Sequence, residues 1–348
     1  MTGSVHLIPR NRLKWIPQGL RLAHEYSFFL HDESARALVE YEGANAHTVN
    51  FKFKDSKQSK LFKDISKNLG PIAAMRGIGL ENYARKVIIN QITMAMVADC
   101  LHHIYEALRC LEKRKTVVAL NLLRKPLTDN LQYLSWMLGD EDDFYQTFSK
   151  NSPSGLKPSL LGNKREMIIA NALKKTSIDS IISADLINQD LFNKKNPEGL
   201  QKLFQHAVHL ITDSYPEIKT SEENFNFIFK KYSDDDVYEL LYEILPTSLL
   251  YLSHVILSLF ERMHIPEGGS KKAFDTRSIL GLYVLEGGEN EVIALDILKS
   301  MGDRFCESCN AYLKITRHNA ARMIMTETCR CTSCRQVHAF PFSWMFEP

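Results

Sequence analysis

The chain has 348 residues, 45% of them hydrophobic, and its 43 lysines and arginines face 41 aspartates and glutamates, a net charge of only +2. That length supports about two domains and a sizeable core. The near-neutral balance excludes a global field that draws the whole protein onto nucleic acid, so any such attraction has to be local.

In chain order, residues from Trp15 to Tyr41 carry helical periodicity, and Val49 to Phe53 alternates apolar and polar as a half-buried strand does. A long helix over Glu81 to Lys113 and a second from Thr116 to Leu138, stopped by Gly139, predict a central αα-hairpin. The turn formers between Ser149 and Pro158 mark a long loop or a sub-boundary near 149–163. Shorter helices are expected over Lys164 to Lys175 and Gly199 to Thr212. A longer one, Asp234 to Met263, opens with aspartates at its positive end. Within it, Ile244 to Phe260 is uncharged and close to membrane length, but Pro246, Thr247, Ser248, Ser253 and His254 read as a buried helix, and no membrane association is expected. Ile265 to Lys272 then reads as a linker.

Three polar constellations stand in the helical body. Arg124 falls within the stripe Leu120, Leu123, Leu127, Leu131, Leu134 and Leu138, where a buried guanidinium needs a carboxylate such as Asp99 or Glu106. Asp99, His102, His103 and Glu106 share one helix at i, i+3, i+4 and i+7, a spacing that holds a metal or a base, although it lies opposite the apolar stripe. His206, His209 and Asp213 offer a similar set. The acidic run Gly139 to Asp143, just past a helix end, reads as a solvated turn. The chain has no phosphate-binding glycine loop, dinucleotide fingerprint, nucleophile elbow or His-Glu-x-x-His. Nucleotide hydrolysis, hydride transfer, serine hydrolysis and zincin chemistry are accordingly disfavoured.

The sharpest chemical signal lies near the C-terminus, where Cys306-Glu-Ser-Cys309 and Cys331-Thr-Ser-Cys334 have the spacing of a four-cysteine structural zinc site. Between them Tyr312 to Thr316 and Arg322 to Thr326 read as strands, with His318 to Ala320 as the turn. Val337 to Phe340 is a candidate third strand, and Phe340, Phe342, Trp344 and Phe346 supply apolar cover. Cys329 is a fifth thiol beside the second pair, an alternative ligand to Cys331, a redox-sensitive spare or, the reading preferred here, an ordinary half-buried cysteine.

This arrangement resembles the zinc-ribbon group, and the resemblance assigns Cys306, Cys309, Cys331 and Cys334 to one structural Zn2+. The helical body resembles the HEPN-like helical ribonucleases and bacterial defence proteins, but their arginine followed five to seven residues later by histidine is missing; Arg330 and His338 come nearest and stand too far apart.

The expected architecture is mainly α: a helical body over 1–264, a linker and connecting helix over 265–303, and a β zinc ribbon with an aromatic tail over 304–348. Only seven cysteines, five of them from Cys306 onward, argue against a disulfide framework. Met1 to His6 lacks the basic and apolar regions of a secretory signal, and a cytoplasmic protein is expected. Two function classes follow. In the first the ribbon binds nucleic acid or a partner protein, with Arg317, Arg322 and Arg335 as contacts and nearby aromatics for stacking. In the second the body is an enzyme acting on a phosphate-containing substrate such as RNA, at a polar pocket around Arg124 with Asp99, His102 and Glu106.

Overall fold

The structure is a computed structural model and describes residues 5, 7–150, 153–213, 215–227, 235–265, 269–302 and 304–342. It is mainly helical: α1 (Arg21–Gly43), α2 (Ser56–Leu69), α3 (Pro71–Gly77), α4 (Glu81–Leu111), α5 (Thr116–Arg124), α6 (Leu131–Gly139) and α7 (Glu141–Lys150) make up the first half. The second half adds α8 (Lys164–Leu173), α9 (Ala184–Leu191), α10 (Leu200–Val208), α11 (Asp236–Met263), α12 (Ser270–Glu286), α13 (Gly288–Ser300) and α14 (Arg317–Thr326). Among the described residues one antiparallel pair of strands follows α14, β1 (Thr328–Arg330) and β2 (Val337–Ala339), with Cys329 opposite His338.

Two deeply buried helices form the centre, of which α11 is the apolar one. The first half of α1, Leu22 to Leu30, is buried on every side, and α11 is buried along nearly its whole length. A helix apolar all round belongs inside a core. The pair is pinned by Ser34 Oγ donating to Ser253 Oγ at 3.1 Å and by Tyr41 stacked on Phe260 with centroids 4.8 Å apart. By length and composition both α4 and α11 could cross a bilayer; in α11 the most apolar window is 78% inside the protein, as a core helix requires.

The αα-hairpin is present. Helix α4 ends where Arg114 takes a left-handed conformation and the Lys115 N–H reaches back to the Cys110 carbonyl, a Schellman-type stop, and α5 starts at Thr116. Its second arm is interrupted by a π-helical turn over Lys125–Asn130. Pro126 has no N–H to give the regular ladder, and Thr128 Oγ1 donates to the Arg124 carbonyl at 2.6 Å.

Several expected elements differ. Val49–Phe53 forms no strand, because it has no partner strand; Phe51 and Phe53 still turn to one side and pack together with centroids 5.2 Å apart. Helix α10 stops at Val208, so His209 and Asp213 are not helical, and Val208 and Ile211 are exposed. The stretch read as a strand, turn and strand between the cysteine pairs contains α14. The Thr316 side chain accepts the Asn319 N–H and starts it, and Ala320 to Met325 are buried on all faces, which erases the helical stripe that would have marked it.

Helix α14 is seated on the body. Gly281 of α12 lets Tyr26 and Ile324 approach so closely that a Cβ there would lie 2.5 Å from Tyr26. Arg277 donates to the Ile324 carbonyl at 2.7 Å, and Arg322 donates to the Val5 carbonyl at 2.7 Å. Val5 in turn donates to the buried Glu25 carboxylate of α1 at 2.7 Å, so the N-terminal segment is held between α1 and α14.

Candidate metal centre

The two Cys-x-x-Cys turns are built alike. In the first, the Asn310 N–H bonds the Cys306 carbonyl at 2.8 Å and the Cys306 N–H bonds the Ala311 carbonyl at 2.9 Å. In the second, the Arg335 N–H bonds the Cys331 carbonyl at 3.1 Å and the Cys331 N–H bonds the Gln336 carbonyl at 2.8 Å. Asn310 and Arg335, each directly after a knuckle, both have positive φ. The repeated bond pattern turns both thiols of each pair inward, and Asn319 braces the two halves: its amide donates to the Lys314 and Arg330 carbonyls while its oxygen accepts the Arg330 N–H.

The four sulfurs of Cys306, Cys309, Cys331 and Cys334 all lie within 4.8 Å of one another. Across the knuckles, Cys306 and Cys334 approach to 3.4 Å and Cys309 and Cys331 to 3.7 Å. A tetrahedral zinc thiolate site with bonds near 2.3 Å sets its sulfurs about 3.8 Å apart, so the donor set fits a single ion of that size. Cys306 and Cys331 are buried and Cys309 and Cys334 exposed, which places the centre at the rim of the module. Cys329 is buried and outside this group, and burial pushes its thiol up from the usual value.

The electrostatics suit a cation. Removal from water raises the Cys306 thiol, but the backbone N–H groups of Cys309 and Ser308 and the neighbouring thiols outweigh this and draw it down to about 6. Cys334 goes the other way: the Gln336 N–H favours its thiolate, yet the crowding sulfurs of Cys306, Cys309 and Cys331 push it up to about 12. Four thiols this close cannot all ionise without a positive charge among them. His338 Nε2 lies 3.2 Å from the Cys306 sulfur, a further polar partner beside the centre.

The arginines expected to face a partner are differently disposed. Arg322 is buried, with Nη1 on the Val5 carbonyl and Nη2 on the Thr328 hydroxyl. Arg317 donates to the Val284 and Leu285 carbonyls at the end of α12 and pairs with Glu291 at 3.3 Å, a cation at a negative helix terminus. Arg335 is exposed. In the aromatic tail, Phe340 and Phe342 are buried edge to face, and Arg304 lies over Phe340; Trp344 and Phe346 lie outside the described residues.

Arg124 is exposed, which corrects its placement in the apolar stripe. Before the π turn the buried face is Ala119, Leu120 and Leu123, and the wider turn then re-phases Leu127, Leu131 and Leu134 onto the core. The Asp99 carboxylate meets the next residue instead: Lys125 Nζ donates to Oδ1 and the Asn130 amide to Oδ2, both at 2.9 Å. Burial raises the Asp99 pKa, but these two donors outweigh it and the net shift is downward. His102 and Glu106 are exposed, and His103 folds back on the Asp99 carbonyl at 2.8 Å. These residues form no enclosed pocket around Arg124. The acidic run is an ion-pair node rather than a solvated turn, since Glu141 pairs with both Arg85 and Arg262 and Asp143 with Lys164.

Two buried polar groups were missed in the sequence. Glu112 accepts both Arg12 and Arg109, and His24 beside it bonds the Tyr242 hydroxyl. Ser278 Oγ lies 3.0 Å from His254 Nε2, and His254 Nδ1 lies 3.5 Å from Asp275, the order of groups in a nucleophilic triad. Ser278 is fully buried and His254 is only 2% exposed, so this is an internal brace between α11 and α12. Neither group has a local sequence signal, because its members come from distant segments.

The fold and the thiol geometry thus define a mainly helical protein with a four-cysteine centre able to hold a metal ion. Comparison with protein-family models, curated proteins and solved structures finds no match to this chain.

Proposed function

We propose that Cys306, Cys309, Cys331 and Cys334 hold one zinc ion, and that the zinc-locked module binds nucleic acid. The observation that carries the metal assignment is the matched pair of knuckles with all four sulfurs within 4.8 Å. All-thiolate tetrahedral sites select zinc or iron, and paired Cys-x-x-Cys turns of this spacing favour zinc as the ion. With four protein ligands such a site has no open position for substrate, so its work is to fix the fold of a module too small to hold a core alone. The unpaired Cys100, Cys110 and Cys329 support the proposal of a reducing compartment such as the cytoplasm.

Beside the zinc, Phe305 and Tyr312 are exposed and meet edge to face at 5.9 Å, with exposed Lys314 and Arg335 on the same module. Aromatic faces next to cations are the equipment of a single-strand binder. The test is fluorescence anisotropy with a labelled RNA oligonucleotide on zinc-loaded protein. Tyr312→Ala with Arg335→Glu is expected to weaken binding at least tenfold while zinc content stays unchanged. Binding equal to that of the wild type removes the module from the interface and leaves the zinc centre as a structural lock alone.

A further inference from the structure

A second polyanion surface lies far from the cysteines in sequence. Residues 52–67 carry Lys52, Lys54, Lys57, Lys60, Lys63 and Lys67 against only Asp55 and Asp64. All six lysines are exposed, and no described residue pairs with any of their ammonium groups. The Asp55 side chain is the N-cap of α2, accepting the Gln58 N–H at 2.8 Å, so it contributes to the helix end rather than to neutralising the lysines. At 100° per residue Lys57, Lys60, Lys63 and Lys67 fall on one side of α2, a rail about 15 Å long.

The other side of α2 meets aromatic residues and then a cavity. Phe62 packs against Phe51 and Phe53, with ring centroids 5.7 and 5.4 Å away, and Phe51 lies 5.9 Å from Tyr83. Tyr83 and Phe53 are more than a third exposed. Tyr83 is also a wall of a cavity of about 530 Å³ between the 46–50 loop, α4 and α11. Its polar lining comprises Thr48, Asn50, Lys86, Asn90, Thr93 and the ion pair of Arg262 with Glu141, over a floor of Ile89 and Leu259, so Lys86 is its one cation without a carboxylate partner among the described residues. Phosphate-binding charge, exposed rings and a roomy polar pocket therefore adjoin through one tyrosine.

We infer that α2 and this cavity together bind single-stranded nucleic acid, with phosphates along the lysine rail, bases against Phe53 and Tyr83, and an unstacked nucleotide in the cavity. The volume lies within the range of small-ligand sites, and Asn50 supplies both donors and an acceptor for a base edge, with the Asn90 oxygen and the second Asn90 N–H beside it, the first N–H being held by the His47 carbonyl. A duplex offers no unstacked base for the rings or the pocket. An anionic membrane surface would match the lysines and the exposed Leu61 and Leu69, but Ile65 and Phe62 of the apolar side are already packed against Gly77 of α3 and the Phe51 and Phe53 rings, and a lipid face would have no use for a polar cavity. The surface stands independently of the zinc module.

The experiment uses the full, zinc-loaded chain with a labelled oligouridylate, measured across a salt series. Replacing Lys57, Lys60, Lys63 and Lys67 together by glutamine is expected to weaken binding at least tenfold and to flatten the log affinity against log salt slope by about 3, since each phosphate contact on a single strand contributes about 0.7. Tyr83→Ala is expected to weaken binding with little change in salt slope, the mark of a stacking loss. All these side chains are exposed, and unchanged circular dichroism and zinc content exclude misfolding. An unaltered four-lysine variant overturns the inference, as does preference for vesicles containing phosphatidylserine over the oligonucleotide. Loss of binding in the lysine variant with none in the Tyr312/Arg335 variant upholds this surface and refutes the ribbon reading; the reverse outcome does the opposite.

Discussion

Replacing Arg322 by methionine keeps most of the side chain's length and removes its charged head. Two bonds are lost, from Nη1 to the Val5 carbonyl at 2.7 Å and from Nη2 to the Thr328 hydroxyl at 2.8 Å. Bonds to a charged group are each worth about 1.5–3 kcal/mol, which makes the gross loss about 3–6 kcal/mol. Thr328 retains Thr326 Oγ1 at 2.7 Å and recovers part of its share, whereas Val5 is fully buried. The expected loss is therefore near the low end, about 3 kcal/mol. For a chain of 348 residues with an unfolding entropy of about 2.1 cal/mol/K per residue, that is a fall in melting temperature of about 4 °C. Thermal melts at matched zinc content measure it, and hydrogen exchange is expected to rise in α14 and in the first residues together. A variant that melts within 1 °C of the wild type with unchanged exchange, yet binds RNA more weakly, would show that Arg322 faces outward and would refute the clamp.

Gly281→Ala places a Cβ 2.5 Å from Tyr26, whose hydroxyl is held by the Ser278 carbonyl at 2.6 Å, so the ring cannot swing away and a loss of about 1–3 kcal/mol is expected in the denaturant midpoint. Burial, helped by nearby Lys271, lowers His254 from its usual value to about 3, and burial also lowers His24. Because the unfolded chain takes up these protons first, the stability they carry is complete above about pH 6.5 and declines below it, for His254 until about pH 3, by up to about 1.4 kcal/mol per pH unit for each group. His254→Gln is expected to flatten the acid limb of a stability against pH curve; an unchanged limb refutes the assignment. Arg124→Ala is expected to change stability by no more than about 0.5 kcal/mol, while Asp99→Ala costs about 1 kcal/mol because the buried Asn130 amide loses its acceptor; equal effects would contradict the phase shift at the π turn.

The hairpin of α4 with α5 and α6 was legible because each arm has a long apolar stripe and the connection has clear stop signals. The four ligand positions were legible because two Cys-x-x-Cys turns impose their own geometry. Helix α14 was not, since a helix buried on all sides has no stripe, and Met323 and Met325 then mimic strand alternation. Arg124 was misplaced because a π turn shifts the helical phase and leaves no trace in residue spacing. The fate of Arg322 lay beyond local reading altogether, as its partner Val5 is 317 residues away in the chain. The lysines of the 52–67 stretch were passed over in the sequence, because a run of surface charge carries no meaning until the fold puts it beside Tyr83 and a cavity.

The most direct measurement is elemental analysis of the purified chain, followed by thiol titration before and after chelation. A zinc-locked module gives about one zinc per chain, four thiols that react only once the metal is removed, and loss of ordered structure around α14 on chelation. A chain that carries no zinc when purified and takes up none when zinc is supplied, with Cys306, Cys309, Cys331 and Cys334 reacting freely, would contradict it.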